Sequence, residues 1–332
     1  MTGGLVWLTL VAFVLSAGTT VAMMKAGTRL GLLDEPGAHR SHDSTTPRAG
    51  GVGIAAALVA VLAAFLGASD VVEPRFLYAV LAGVIVIAGI GLADDRLSLP
   101  SWPRLLVHLL VATAVAWSGS EHGAWLAIAV VALALAWSIN LHNFMDGSNG
   151  LLAGQAALVL GAFAWVAGWE LFIAAFCGAG AAAALGFLPF NFPRARVFLG
   201  DVGSGVLGLA IGVAVWQGER RALLPLAWGL VISSSFVIDA TLTLLWRIAR
   251  RERFTERHRE HLYQYLVRAG WAHWAVALAY WSWTIVAVLL VFGPLRPLNG
   301  AQRWQAAGAV YAVGAILWLA ARRALRNRLR ES

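Results

Sequence analysis

The sequence predicts an all-α polytopic integral membrane protein, and two observations support this prediction. Hydrophobic residues make up 60% and charged residues only 13% of the 332 residues, whereas soluble domains are about half apolar and about a quarter charged. The apolar residues also fall into runs of the length, roughly 20 residues, that a helix needs to cross a bilayer. Leu, Ala, Val and Gly dominate these runs. Helices satisfy their own backbone groups in lipid, so we expect helices rather than barrel strands.

Eleven runs are expected to span the membrane. They are residues 5–25, 51–69, 76–93, 104–118, 123–140, 151–167, 170–188, 204–216, 223–246, 272–293 and 304–321. The first run lacks a preceding basic segment and exceeds the apolar core of a signal peptide, so it is expected to be a retained helix. No soluble segment or internal repeat interrupts the series. Residues 1–332 are therefore predicted to form one integral membrane domain.

Basic residues predict the orientation of the chain. Only five of the 25 Lys and Arg lie in one alternating set of loops, namely Arg75, Arg220, Arg221, Arg296 and Arg303. The positive-inside rule then places the N-terminus outside and the C-terminus in the cytoplasm. The predicted cytoplasmic loops are about 25–50, 94–103, 141–150, 189–203 and 247–271.

The net charge and the cysteine content argue against nucleic-acid binding and against disulfide or cysteine-metal sites. Basic loops beside anionic lipid headgroups account for the net charge of +8, and no nucleic-acid motif is present, so membrane lipids and not nucleic acid are the expected partners. A single cysteine, Cys177, excludes an internal disulfide and a cysteine metal cluster.

The same predicted loops carry every dense polar cluster. The clusters are Asp94-Asp95, Asn140–Gly150, Asn191–Ser204 and Arg257–His261. Such groups beside a membrane cost several kcal/mol unless something binds them, which makes them candidates for function. Unrelated polar residues would scatter over both faces. We therefore expect the clusters to build one site.

Adjacent carboxylates at Asp94 and Asp95 repel each other unless a cation or a proton lies between them. A hard divalent metal or a general base would explain the pair, and a solvated turn is the alternative.

Asn140, Asn143 and Asp146 are spaced three apart, which predicts that they share one face of a helix. Carboxamides and a carboxylate followed by glycines suit a magnesium diphosphate or a ribose, with an ordinary turn as the alternative.

Asp201 directly precedes a predicted helix and is either a helix cap or part of a phosphate site, which flanking glycines and arginines favour. Phe198 is expected to stack on a base or to anchor the chain at the interface. His258, Arg259 and His261 suit a diphosphate or a proton donor, and solvated charge is the alternative.

Two further expectations concern single residues. Asp239, inside the ninth run, is expected to face the site because a buried charge is costly. Gly51 and Gly53 are expected to serve helix packing.

The order of these motifs resembles that of a known family. The motifs are Pro-Arg-x-Gly-Gly at 47–51, Asp-Asp at 94–95, Asn-x-x-Asn-x-x-Asp-Gly-x-x-Gly at 140–150, Phe-x-Gly-Asp-x-Gly-Ser at 198–204 and His-Arg-x-His at 258–261. From about residue 30 to 270 the chain is similar to the polyprenyl-phosphate N-acetylhexosamine-1-phosphate transferases, which include the muramoyl-pentapeptide transferase of peptidoglycan synthesis.

The resemblance implies a Mg²⁺-dependent reaction, with Mn²⁺ able to substitute, at the cytoplasmic face of the inner membrane. Undecaprenyl phosphate would attack the sugar-side phosphorus of a UDP-N-acetyl sugar and release UMP. The lipid-linked sugar would initiate a cell-envelope glycan such as O-antigen or capsule. A homodimer is compatible with the resemblance.

The resemblance also implies roles for individual residues. Asp201 would be the principal metal ligand. Asp94 and Asp95 would lie beside the lipid phosphate as metal partner or proton acceptor, and Asn143 and Asp146 would organise the metal and diphosphate. Contacts with the substrates are implied for Arg48, Asn140, Gly147, Ser148, Asn149, Asn191, Phe198, His258, Arg259 and His261.

Two departures bear on the subfamily. Many relatives carry Asp where this chain has Asn149, so no second carboxylate is expected there. The His-Arg-x-His loop differs from the triple-histidine loop of the muramoyl-pentapeptide enzymes and is closer to initiators that use small N-acetylated sugars. UDP-N-acetylmuramoyl-pentapeptide is the alternative substrate. The sequence leaves open whether attack is direct or passes through an aspartyl-phosphate.

Two other classes of protein compete with a transferase. A transporter would place ionisable residues along the middle of several helices and would show a repeat between its halves. An inactive scaffold would not require Asp94, Asp95, Asp146 and Asp201 together.

Overall fold

Thirteen helices carry the fold in the part of the chain that the computed structural model describes, residues 2–27, 29–34, 46–68, 70–121, 123–168, 170–252 and 259–331. They are α1 (Thr2–Ala26), α2 (Val52–Ala64), α3 (Pro74–Leu97), α4 (Ser101–Gly119), α5 (Trp125–Phe144), α6 (Leu151–Ala167), α7 (Leu171–Asn191), α8 (Gly200–Arg220), α9 (Leu226–Ile232), α10 (Ser234–Ala249), α11 (Leu262–Arg268), α12 (His273–Phe292) and α13 (Gly300–Glu331). Two short antiparallel strands, β1 (Leu33–Asp34) and β2 (Thr46–Pro47), join α1 to α2.

The described helices confirm a multi-pass helical membrane protein. Seven of them, α1, α3, α5, α7, α8, α12 and α13, are long and apolar enough to cross a bilayer, and the bent pair α9–α10 makes an eighth if it is one span. The apolar helices α2 and α6 are shorter, and α4 does not reach the same criterion. Each predicted run contains a helix, but the count of eleven spans and the direction of insertion stay predictions.

The predicted run 223–246 is not one continuous helix, and whether its two helices form one span stays a prediction. The chain bends by 80° between α9 and α10, at a run of three serines beginning at Ser233. Serine-rich positions are common sites of helix kinks, and their hydroxyls can bond to groups outside the helix. Here Ser234 Oγ accepts a bond from Trp283 Nε1 at 2.8 Å, and Ser235 Oγ bonds with Thr284 Oγ1 at 3.2 Å. Both partners lie in α12, which packs against the bend.

Helices α7 and α8 form the centre of the bundle. In the most apolar 18-residue stretch of α7 and of α8, 78% and 72% of the residues are buried inside the protein. In the corresponding stretches of α1 and α13 only 17% are buried. Close packing of helices in lipid depends on small residues. A Cβ added at Gly51 would lie 2.2 Å from Gly203 Cα, and one at Gly53 would lie 2.5 Å from Ser16 O. The prediction that Gly51 and Gly53 serve helix packing is confirmed.

The segment before α2 is held against the start of α8. Phe198 N donates to Pro47 O at 2.8 Å, and Gly50 N and Gly51 N donate to Phe198 O and Leu199 O, each at 2.9 Å. On the other side of α8, a Cβ at Gly91 of α3 would lie 2.5 Å from Val202 N. The N-terminus of α8 is thereby enclosed by residues 47–51 and the last turns of α3.

Candidate active site

Three charged residues from three helices meet at the N-terminus of α8. Asp94 lies near the end of α3, Arg104 in the first turn of α4, and Asp201 in the first turn of α8. Arg104 Nη1 donates to Asp94 Oδ2 at 2.7 Å and also to the Asp201 carboxylate. One guanidinium therefore bridges two carboxylates. The sequence prediction missed Arg104, although a lone arginine at the start of an apolar run, soon after Asp94-Asp95, was a usable signal.

The two adjacent carboxylates have different environments. Asp95 accepts bonds from Asp201 N at 3.1 Å and Val202 N at 3.5 Å, so it satisfies two free N–H groups at the start of α8. Gly200 has φ of +75°, and a Cβ there would lie 2.4 Å from Asp95 Oδ2, so only glycine fits. By contrast, Asp94 Oδ1 is buried and makes no hydrogen bond within the described part of the chain.

Only part of the 140–150 cluster lies on a common helical face. Asn143 Nδ2 donates to Ser204 Oγ at 3.0 Å, and its side chain contacts Asp201. Asn140 instead bonds with Ala136 O and with the His108 ring at 3.3 Å. Helix α5 ends at Phe144, so the prediction that Asp146 shares this face is wrong.

Asp146 lies in the loop that follows α5. Burial, together with the negative charges of Asp201 and Asp95, raises the pKa of Asp146 well above its ordinary value of 3.8. A cation bound nearby would favour its charged form.

Several predicted contact residues hold the loops together. Asn191 is buried, and its Oδ1 accepts from Gly150 N at 2.6 Å while its Nδ2 donates to Val197 O at 2.8 Å. The Ser148 hydroxyl bonds with His273 Nδ1 at 2.9 Å. Asn191 and Ser148 thus fix the loop between α5 and α6.

Four other residues were predicted to contact the substrates. Asn149 and Phe198 are half-buried. Arg48 is also half-buried and interacts electrostatically with Asp95. Gly147 packs against the ring of Tyr263.

Residues 259–261, which precede α11, lie against the end of α5. His261 is buried, and its ring stacks on Phe144 and Tyr263 with centroid distances of 6.0 and 5.8 Å. Arg259 is half-buried and interacts electrostatically with Tyr263. His258 lies outside the described residues.

The prediction that Asp239 faces the site is wrong. Its side chain is 1% exposed and accepts hydrogen bonds from residues of α10, α11, α12 and α13. This carboxylate is satisfied inside the protein, beneath the basic loop.

The donor set fits a hard divalent cation that shares its coordination with a substrate. Among the described residues, no three Asp, Glu, His or Cys side chains converge on one point. Mg²⁺ in phosphate-processing sites typically takes one or two carboxylates and completes its shell with waters and phosphate oxygens. Asp201, the unpartnered Asp94 Oδ1 and the Asn143 amide meet that requirement.

Comparisons with known proteins agree with this arrangement. The model of the family described as glycosyl transferase family 4 matches residues 77–219, which include both acidic motifs and the 140–150 cluster. The probable undecaprenyl-phosphate N-acetylglucosaminyl 1-phosphate transferase of Bacillus subtilis (strain 168) is 27% identical over an alignment of 284 residues, gaps included, and the alignment covers 79% of this chain and 78% of that protein.

Phospho-N-acetylmuramoyl-pentapeptide-transferases are also similar. That of Shouchella clausii (strain KSM-K16) is 30% identical over an alignment of 277 residues, gaps included, and the alignment covers 73% of this chain and 82% of that protein. That of Geobacillus thermodenitrificans (strain NG80-2) is 35% identical over 156 residues, 46% of either chain. On the strength of these matches and of the motifs that surround the start of α8, the chain belongs to glycosyl transferase family 4.

Proposed function

We propose that the protein transfers N-acetylhexosamine-1-phosphate from a UDP-N-acetyl sugar to undecaprenyl phosphate and releases UMP. One observation carries this proposal: Asp94, Arg104, Asn143 and Asp201 converge at the end of a multi-pass helical bundle. The similarity to the Bacillus subtilis transferase extends over most of the chain and supports the choice of substrates.

The reaction joins two anions. An oxygen of the lipid phosphate forms a bond to the sugar-side phosphorus, and the bond from that phosphorus to the bridging oxygen breaks as UMP leaves. Charge neutralisation should therefore dominate catalysis. When bound there, Mg²⁺, or Mn²⁺ in its place, would act as a Lewis acid and offset the negative charge of the reacting phosphates. Asp201, Asp94 and Asn143 would hold it.

The residues around the start of α8 have distinct roles in this proposal. Asp95 fixes the first turn of α8 and so fixes the position of Asp201. Asp94 lies beside the attacking phosphate, which is largely ionised at neutral pH and needs no strong base. Arg104 supplies a permanent positive charge, and its side chain would turn from the carboxylates to a phosphate oxygen when the substrates bind. Arg259 and His261 belong to the loop that approaches the diphosphate and sugar.

We place this site on the cytoplasmic face of the inner membrane because the loops that build it are the basic ones. The product, a lipid-diphosphate sugar, would initiate a cell-envelope glycan.

The test is release of UMP by the purified protein with undecaprenyl phosphate, Mg²⁺ and a panel of UDP-N-acetylhexosamines. Release should require both the lipid and the metal, and chelation should abolish it. A folded protein that released no UMP across the panel, beside an active control enzyme, would refute the proposal.

The transfer of phospho-N-acetylmuramoyl-pentapeptide is the second candidate, because the Shouchella clausii enzyme aligns over 82% of its length. Adding UDP-N-acetylmuramoyl-pentapeptide to the panel separates the two. Release with a small sugar alone would assign the first function, and release with the pentapeptide alone would assign the second.

A further inference from the structure

The short helix α11 is held in place by a buried carboxylate. A helix of seven residues is not stable by itself in water, so its position depends on tertiary contacts. Asp239 accepts hydrogen bonds from Leu262 N at 2.8 Å and from Tyr263 N at 3.4 Å. The same carboxylate accepts from Tyr280 Oη at 2.7 Å and Trp318 Nε1 at 2.9 Å. Asp239 thus ties the start of α11 to α12 and α13.

A second anchor holds the residue that precedes His261. Glu260 accepts from Arg247 Nη1 at 2.6 Å and Arg322 Nη2 at 2.9 Å, and its backbone oxygen accepts from Arg322 Nη1 at 2.6 Å. Arg247 belongs to α10 and Arg322 to α13. The segment from Glu260 to Tyr263 is therefore fixed on both sides of His261.

The side chain of Tyr263 joins this segment to the loop that carries Asp146. Its hydroxyl donates to Phe144 O at 3.0 Å, the last carbonyl of α5, which has no donor within its own helix. A Cβ at Gly147 would lie 2.1 Å from the same hydroxyl. The tyrosine is 2% exposed, and its contacts bracket Asp146 on both sides.

We propose that Tyr263, held by Asp239, is a positioning residue that fixes two loops, residues 259–261 and residues 145–150, relative to each other. The inference rests on the proposed function, in which both loops contact the UDP-sugar. Residues of the two loops then meet one donor molecule at a distance that Tyr263 sets, without Tyr263 contacting the donor.

The substitution Tyr263→Phe tests this proposal, because it removes the hydroxyl and keeps the ring that stacks on His261. Tyr311→Phe is the matched control. Tyr311 Oη also donates to a backbone oxygen, that of Leu230 at 2.9 Å, but this bond joins α13 to α9. The two variants lose the same kind of bond in different places.

Two readouts decide the outcome. In Tyr263→Phe the KM for the UDP-sugar should rise roughly three- to tenfold, with a smaller change in kcat, as expected for one lost hydrogen bond. Hydrogen exchange of the amides at 145–150 should become faster by a similar factor, measured by mass spectrometry on the protein without substrate. Tyr311→Phe should change neither quantity.

An unchanged KM or unchanged exchange at 145–150 in Tyr263→Phe would overturn the proposal, as would equal effects of Tyr311→Phe. A wild-type protein that released no UMP would refute the proposed function instead. The exchange experiment would then still decide whether Tyr263 couples the two loops, because it needs no turnover.

Discussion

Replacing Arg104 by methionine should make the stability of the protein depend on divalent cations. Methionine retains most of the apolar stem of the side chain and removes the charge. In the wild-type protein the guanidinium pairs with both Asp94 and Asp201, whose side chains are 7% and 27% exposed. In the variant two carboxylates face each other without a positive partner.

The magnitude follows from the geometry. Both carboxylate oxygens bond to the same nitrogen, so they lie within about 5 Å of each other. At an effective dielectric constant of about 20, two unit charges at that distance repel by about 3 kcal/mol, which is an upper limit because one of two adjacent carboxylates can take up a proton instead. Removing one partner of a buried ion pair costs a similar amount, about 3–5 kcal/mol. The Arg104 side chain is 21% exposed, so we expect the lower end of that range.

The assay can use the single cysteine. Cys177 is buried in α7, and a fluorogenic thiol reagent therefore reports unfolding. In the presence of a chelator the apparent Tm of Arg104→Met should fall by roughly 5–10 °C relative to the wild type. Millimolar Mg²⁺ should restore most of this loss, because the cation takes the place of the guanidinium between the carboxylates.

Arg221→Met is the matched control for this experiment. The Arg221 side chain is also 21% exposed and pairs with Glu170, at the start of α7. That variant should lose stability without any recovery in Mg²⁺. A chelated Arg104→Met protein as stable as the wild type, or recovery of both variants alike, would refute the reasoning.

Three further predictions follow from individual contacts. Asp201→Asn should abolish UMP release while the apparent Tm stays within a few degrees of the wild type, and near-normal turnover would remove Asp201 from its metal role. Gly51→Ala should lower stability by roughly 1–3 kcal/mol because its Cβ would lie 2.2 Å from Gly203 Cα; Gly89→Ala, where nothing lies within 4 Å, should be neutral or slightly stabilising in the same thermal assay. Burial alone would raise the pKa of Glu260, but two arginines outweigh it and hold that pKa below its ordinary value of 4.5. The stabilisation that ionised Glu260 gives the folded protein is therefore complete above pH 4.5 and is lost as the pH falls through the lowered pKa. The difference in apparent Tm between wild type and Glu260→Gln should therefore shrink in acid, and a difference that grew below pH 4.5 would contradict this sign.

Much of the candidate site was predictable from the sequence because its motifs are short and local. Asp94-Asp95, Asn143 and Asp201 stand where apolar runs begin or end, and a charge in that position is costly without a function. Arg104 was missed because a single arginine at the start of a helix is common at a membrane surface. Its partners became clear only when α3, α4 and α8 were brought together.

Other errors arose where tertiary packing outweighs local pattern. Spacing alone placed Asp146 on the helical face of Asn143, but α5 ends at Phe144, whose carbonyl is satisfied by a tyrosine from a distant segment. The same limit applies to Asp239. A carboxylate in an apolar run either binds a ligand or accepts hydrogen bonds from other residues of the protein. Only the packing of four helices showed that Asp239 accepts its hydrogen bonds from within the protein.

The sequence by itself determined the class of the protein, the helical character of its eleven apolar runs and the motifs that identify its family. These properties depend on composition and short spacing, and both are local. The tertiary structure decided which carboxylate anchors α8, which one faces Arg104, and how Tyr263 joins two loops about 120 residues apart in the chain. Such assignments depend on which groups satisfy each other's hydrogen bonds and charges, and the order of residues along the chain does not fix that choice.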